Sequence, residues 1–189
     1  MGDLNYYSDL LQCSYTEAIE TVRQKHGLVK DNYFLEKSYY RFLNGEIKNI
    51  TPGKYKRTKE GLYCHHIDEN KALNLGNKTF IKKYSYPYSM QVKERLVYVD
   101  AVEHLILHAL ITFETKGEFG FPGYVTMLEP SFQDWYIQGN IPNPSWRKAC
   151  YDRAFLNSDD AKSLLSSIRT NLLIGYHPTL EELQQVSFR

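Results

Sequence analysis

Four of the six histidines in this 189-residue chain fall in two clusters, His65 with His66 and His104 with His108. Imidazole titrates near neutral pH and is the commonest neutral metal ligand. The run Tyr63-Cys64-His65-His66-Ile67 reads as a short strand, because aromatic and β-branched residues flank the histidines. The run from Asp100 to Thr112 reads as a helix with nearly continuous apolar positions and Asp100 as its N-cap. Residues four apart stand one above the other on a helix, so His104 and His108 point at one spot. A strand histidine joining that pair gives three protein ligands and leaves a coordination position open, the usual plan of a catalytic metal centre.

Other elements must position these residues. Ser14-Tyr15-Thr16-Glu17 is a capping-box pattern that opens a helix running to about His26 and stopped by Gly27. Asp31 is expected to cap a second helix from Tyr33 to Leu43. The segment from Lys48 to Lys59 holds Pro52, Gly53, five basic residues and no acid, which predicts an exposed arm. The polar stretch from Asp68 to about Gln91 exceeds a normal connection and predicts local structure or a functional excursion. Leu96-Val97-Tyr98-Val99 is a second strand leading into the histidine helix. After Glu114 come Gly117, Gly120 and Gly123. Short helices are expected over Ser131 to Ile137, Trp146 to Phe155, Ser158 (as cap) to about Leu173, and beyond Thr179 with Glu182. The expected fold is α+β and mainly helical. An N-terminal helical region (1–47) and a C-terminal one (116–189) flank a central unit (48–115), all in one compact body.

Bulk properties exclude some classes. The net charge is +1, so any nucleic-acid affinity must come from local patches. No apolar run reaches the ~18 residues of a membrane span, and the N-terminus lacks the basic region of a secretory signal. The three cysteines, Cys13, Cys64 and Cys150, are far apart and form no CxxC, which fits a reducing cytoplasm. The 16 tyrosines read first as packing residues, with stacking or phosphate contacts as the sharper alternative. Glu103 precedes His104, so the helix is not HExxH and a zincin protease is excluded. His26 and His177 stand alone and are expected at the surface or at caps.

A strand with two histidines, a loop, a second strand and a helix with HxxxH resembles the HNH nucleases, also called ββα-metal or His-Me finger nucleases. The resemblance covers about residues 60–113. It implies a central ββα-metal finger and a hydrolase that cuts phosphodiester bonds. His65, His104 and His108 would hold one divalent ion, Zn, Ni, Mg or Mn, with an all-nitrogen site suiting Zn or Ni best. His66 would be the general base. Consecutive strand residues face opposite ways, which fits that division of labour. The family asparagine stands nine residues before the first helix histidine, and here that position is Arg95. Arginine has donors and no acceptor, so it supplies only the donating half of an amide's role. It could instead clamp the scissile phosphate bidentately, or mark a domain that no longer cuts. Asn74 or Asn77 is an alternative source of the amide. Asp68 is read as a turn residue, or as a partner for a histidine N–H.

The implied substrate is double-stranded DNA, with RNA as a further option, in the setting of a restriction, phage or mobile-element enzyme. DNA would be engaged through phosphates first, and Lys54, Lys56, Arg57 and Lys59 form the best-placed arm. Two rival readings are a non-catalytic, metal-stabilised nucleic-acid-binding or interaction module and a toxin-like nuclease acting on RNA.

Overall fold

Among the described residues of the computed structural model, 2–177, side-chain caps set five of the nine α-helix N-termini. Helix α1 (Leu4–Leu10) starts at Asp3, whose carboxylate accepts the N–H groups of Asn5 and Tyr6. Helix α2 (Tyr15–His26) has both halves of the Ser14/Glu17 capping box and ends at Gly27, at φ 80°. Helix α3 (Glu36–Leu43) corrects the sequence expectation, for it begins later and without a side-chain cap. The Asp31 carboxylate is taken by the backbone N–H groups of Asn32, Lys54 and Tyr55. Residues 33–35 are extended: Tyr33 donates its N–H to Gln91 O, and Leu35 donates to Thr51 O.

The basic segment is irregular apart from an isolated bridge between Pro52 and Phe34 and a 3₁₀ turn at Thr58–Glu60. The long polar connection contains the 3₁₀ turn Ile67–Asn70, helix α4 (Lys78–Tyr84) capped by Asn77, and the 3₁₀ turn Tyr88–Met90.

Strands β1 (Tyr63–His66) and β2 (Leu96–Val99) form a two-stranded antiparallel sheet in which His65 lies opposite Val97 and His66 opposite Leu96. A lone pair of strands is marginal in water, and here both faces are covered. Val97 and Val99 join the main core with Ala18, Ile19 and Val22 of α2. Leu96 and Tyr98 pack with Val29 and Leu62 on the other face.

Helix α5 (Ala101–Glu114) follows a second complete capping box, Asp100 with Glu103. It is apolar nearly all round, as a helix through a core must be. It packs against α1 and α2 from the N-terminal side, and shares one core with Leu164, Leu165 and Ile168 from the C-terminal side. Residues from Tyr7 to Val22 and from Tyr124 to Leu173 thus share one core with α5, while Phe34, Tyr39 and Phe42 form a separate cluster with Ile50, Ile81 and Tyr88.

From residue 121 to 137 the chain is continuously helical. The α-helical pieces α6 (Phe121–Gly123) and α7 (Glu129–Phe132) alternate with π-helical Tyr124–Leu128 and Gln133–Ile137. This run is longer than the helix expected from Ser131. Helix α8 (Ser145–Arg153) and helix α9 (Ser158–Asn171) follow, and the cap of α9 is Asn157 rather than Ser158. The helix expected beyond Thr179 lies outside the described residues. The chain is α+β and mainly helical, and no helix among the described residues is long and apolar enough to cross a membrane.

Candidate metal centre

Strand alternation sends His65 toward α5, where His104 and His108 stand one turn apart. The ring centroids lie 5.2 Å (His65 to His104), 5.4 Å (His65 to His108) and 5.0 Å (His104 to His108) apart. One ligand nitrogen from each can be chosen so that all three lie within 4.8 Å of one another. The three sequence-predicted ligands are therefore brought together.

The hydrogen bonds fix which nitrogens are available. Tyr15 donates its hydroxyl proton to Ile67 O at 2.9 Å, so its oxygen accepts from His65 Nε2–H, also at 2.9 Å. That leaves His65 Nδ1 as the unprotonated nitrogen, and it is buried with no hydrogen-bond partner. His104 Nδ1 is also buried without a partner. His108 Nδ1–H donates to Gly120 O at 3.1 Å, which frees Nε2 as the lone-pair nitrogen. Buried polar atoms without partners are rare in folded proteins and call for an explanation such as an ion. The donor set here fits one.

The glycines after α5 explain how the ring of His108 is packed. A Cβ on Gly123 would stand 2.8 Å from His108 Cε1, and one on Gly120, at φ +78°, would stand 2.6 Å from His108 O. Only glycine permits this close approach of the backbone.

A fourth group enters the cluster. Glu69, in the 3₁₀ turn after β1, places Oε2 3.0 Å from His108 Nε2 and 3.8 Å from His65 Nδ1. Its Oε1 is 3.9 Å from His66 Nδ1. Burial pushes the Glu69 carboxyl up, but its contact with His108 outweighs this, and the group is held well below the usual range. Burial drives the imidazoles the other way: His104 is pushed down to about 3, and His65 and His66 are lowered too. Neutral imidazole is the ligand form. The opening beside Glu69 and His108, bounded by Leu73, Asn74 and Gly120, is about 20 Å³, room for roughly one water.

His66 faces away from the trio. Its ring lies 4.4 Å from that of Tyr33, and Nε2 is 3.1 Å from Gln91 Oε1. Gln91 donates from its amide nitrogen to Leu75 O at 3.0 Å and is wholly buried. The amide oxygen therefore accepts from His66 Nε2–H, and His66 Nδ1 keeps its lone pair on the side of Glu69.

Arg95 is placed differently from the amide contact expected near that position. Its guanidinium pairs with both oxygens of Asp68, Nε at 2.8 Å and Nη2 closer still. Asp68 sits in the 3₁₀ turn Ile67–Asn70, as expected, and its carboxylate pairs with Arg95 rather than with a histidine N–H. Asn77 caps α4 and Asn74 sits at φ 53°, so the amide that touches His66 comes from Gln91 instead.

In the basic arm Lys54, Lys56 and Lys59 are exposed. Arg57 is committed inside the fold: it pairs with Glu60, donates to His26 O at 2.6 Å and lies 5.0 Å over the Tyr98 ring. The arm borders a groove of about 390 Å³ shared with Tyr33, Cys64 and Tyr98, on the strand face that carries His66. Burial pushes the Cys64 thiol up to about 12, so it stays protonated.

His26 is a second correction. It is buried, 2.7 Å from Glu103 Oε2 through Nε2, with Nδ1 accepting from Arg153. The expectation failed because the partners of His26 lie in distant segments. His177 is exposed, as expected.

The sequence reading missed Glu69, Gln91 and Tyr15. Glu69 had a local signal, an acid four residues after the first strand histidine in a turn. Gln91 and Tyr15 had none, since their partners lie 25 and 50 residues away. No family model, curated protein or solved structure matches this chain.

Proposed function

We propose that this protein is a metal-dependent endonuclease of the HNH type that hydrolyses DNA. The hairpin and α5 form its ββα-metal finger. The observation that carries the reading is the division of the two adjacent strand histidines. His65 turns an unpartnered nitrogen toward His104 and His108, while His66 keeps a lone pair at Nδ1 with its other nitrogen held.

His65, His104 and His108 would hold one divalent ion. Bound there, it would supply Lewis-acid stabilisation to a phosphate oxygen and to the leaving 3′ oxygen. The chain's own groups do the rest. Tyr15 fixes the His65 tautomer and Gly120 O fixes that of His108, so both rings are oriented before any ligand arrives. Gln91 holds His66 with Nδ1 free to take the proton of an attacking water. The Tyr33 ring and the burial of His66 keep bulk water from that nitrogen. Lys54, Lys56 and Lys59 would contact phosphates, while Arg57 braces the arm. Arg95, paired with Asp68, braces the turn that carries Glu69.

The test is plasmid cleavage with Mg²⁺, Mn²⁺, Ni²⁺ or Zn²⁺, run beside an RNA digest. His66→Ala is expected to lower cleavage by roughly 10²–10⁴-fold while metal stays bound. Intact cleavage in that variant removes His66 from the base role. RNA cut in preference to DNA favours a toxin-like ribonuclease. A second reading, a non-catalytic metal-stabilised module that binds nucleic acid or a protein, draws on the narrowness of the opening. It predicts bound metal and retained DNA with no cleavage under any metal.

A further inference from the structure

We propose that Glu69 is a fourth and displaceable ligand of the ion, so that the resting centre is closed and a phosphate enters by taking the carboxylate's place. The inference rests on the metal reading above and deepens it.

The contact between His108 and Glu69 is the starting point. His108 donates Nδ1–H to Gly120 O, so a neutral ring presents a lone pair at Nε2. That lone pair faces a carboxylate oxygen at 3.0 Å. Two acceptors do not approach so closely unless a proton or a cation lies between them. Ligands each ~2.0–2.1 Å from one zinc ion stand about 3.3–3.4 Å apart around a tetrahedron, so the 3.0 Å and 3.8 Å contacts of this oxygen bracket that spacing. The same oxygen is 3.8 Å from His65 Nδ1, which has no other partner. One cation would satisfy the carboxylate and the orphaned nitrogens together.

Displacement follows from where Glu69 sits. It belongs to a four-residue 3₁₀ turn, a weaker element than an α-helix. Asp68 anchors the turn through Arg95, so the Glu69 side chain can swing while its backbone stays fixed. Three imidazoles leave a divalent site at a charge of +2, and the carboxylate lowers this to +1. A phosphodiester oxygen restores the charge balance that Glu69 gives up. The other carboxylate oxygen lies 3.9 Å from His66 Nδ1. The movement that admits phosphate therefore also uncovers the base.

The test uses the full chain loaded with Co²⁺, with affinity read by chelator competition and coordination by visible absorption. Glu69→Gln is expected to weaken Co²⁺ binding by about 10–100-fold or more and to change the absorption spectrum. In Glu69→Ala, millimolar inorganic phosphate is expected to recover most of the lost affinity, which it does not raise in the wild type. Thermal melting of the metal-free variants establishes that they are folded, and the phosphate recovery stands even if the Gln variant is unstable. Wild-type affinity and spectrum in both variants overturn the inference alone. Bound Co²⁺ with the expected variant behaviour but no cleavage overturns the nuclease reading and leaves Glu69 as ligand. A wild-type chain that takes up no metal overturns both.

Discussion

Two clusters of metal-binding residue types adjoin on α5, and they are built in opposite ways. His26, Asp100 and Glu103 are close enough together to hold an ion, as are His65, His104 and His108. In the first cluster every position is taken. Glu103 Oε1 accepts from Tyr6 and Lys25, both at 2.8 Å, and Oε2 accepts from His26 and from Asp100 N–H, both at 2.7 Å. Asp100 accepts two backbone N–H groups of α5 and the Tyr7 hydroxyl. A lysine ammonium already supplies the cation. In the second cluster two buried nitrogens have no partner, and a third faces an acceptor. Residue identity and proximity are shared, so they do not distinguish a strut from a ligand site. Unspent lone pairs do.

The largest effect should come from the saturated cluster and should concern stability only. Glu103→Ala strands Lys25 and His26 and removes half of the α5 capping box. Breaking one partner out of a buried ion pair costs about 3–5 kcal/mol, which for a chain of this size lowers the melting temperature by roughly 6–20 °C. Co²⁺ affinity, measured well below that temperature, should match the wild type. A parallel fall in metal affinity would show that the clusters act as one unit, and the contrast between them would fail.

What could be read from sequence follows the range over which each feature is decided. Ser14 with Glu17 is a local hydrogen-bonding pattern, and that box forms as written; Asp100 was legible as an N-cap, and Glu103 completes a second box that the sequence reading did not name. The second strand is right to the residue, because four apolar residues precede a helix cap. Helix spacing made the pair His104 and His108 legible, and strand alternation let only one strand histidine join them; that it is His65 was implied by the HNH resemblance. Asp31 was misread because its local pattern suits a helix cap, whereas its carboxylate is satisfied by amides 23 and 24 residues away. Gln91 and Tyr15 were invisible for the same reason. Register across the long connection decides which side chain meets which histidine, and no periodicity encodes it.

Between saturated and open lies His66, with one nitrogen held and one free. Gln91→Leu removes the holder and leaves His66 Nε2 and Leu75 O buried without partners. The cost should be about 1–3 kcal/mol, less than for Glu103. Its signature is a split between two readouts. Cleavage should fall, and its pH profile should change as His66 loses its fixed tautomer. Co²⁺ affinity should stay within error, because Gln91 touches none of the three ligands. Equal losses of cleavage and metal affinity would place His66 inside the metal cluster and erase its separate role.

The smallest effect belongs to a saturated carboxylate at the surface, Asp31. Its carboxyl is held below the ordinary range, by the Lys54 backbone N–H above all, with Tyr55 and Asn32 adding to it. The sign follows from that direction. A group whose folded value is depressed contributes while it is ionised, so the tether is intact above about pH 4 and is lost as the pH falls through the depressed value. Asp31→Ala should remove the tether at every pH. Amide exchange at Lys54 and Tyr55 should quicken in the variant at neutral pH, and in the wild type only under acid, with melting temperature nearly unchanged. DNA affinity should drop modestly, since the lysines remain and only their placement is loosened. Unchanged exchange at both amides would mean that the Phe34–Pro52 bridge, not Asp31, holds the arm.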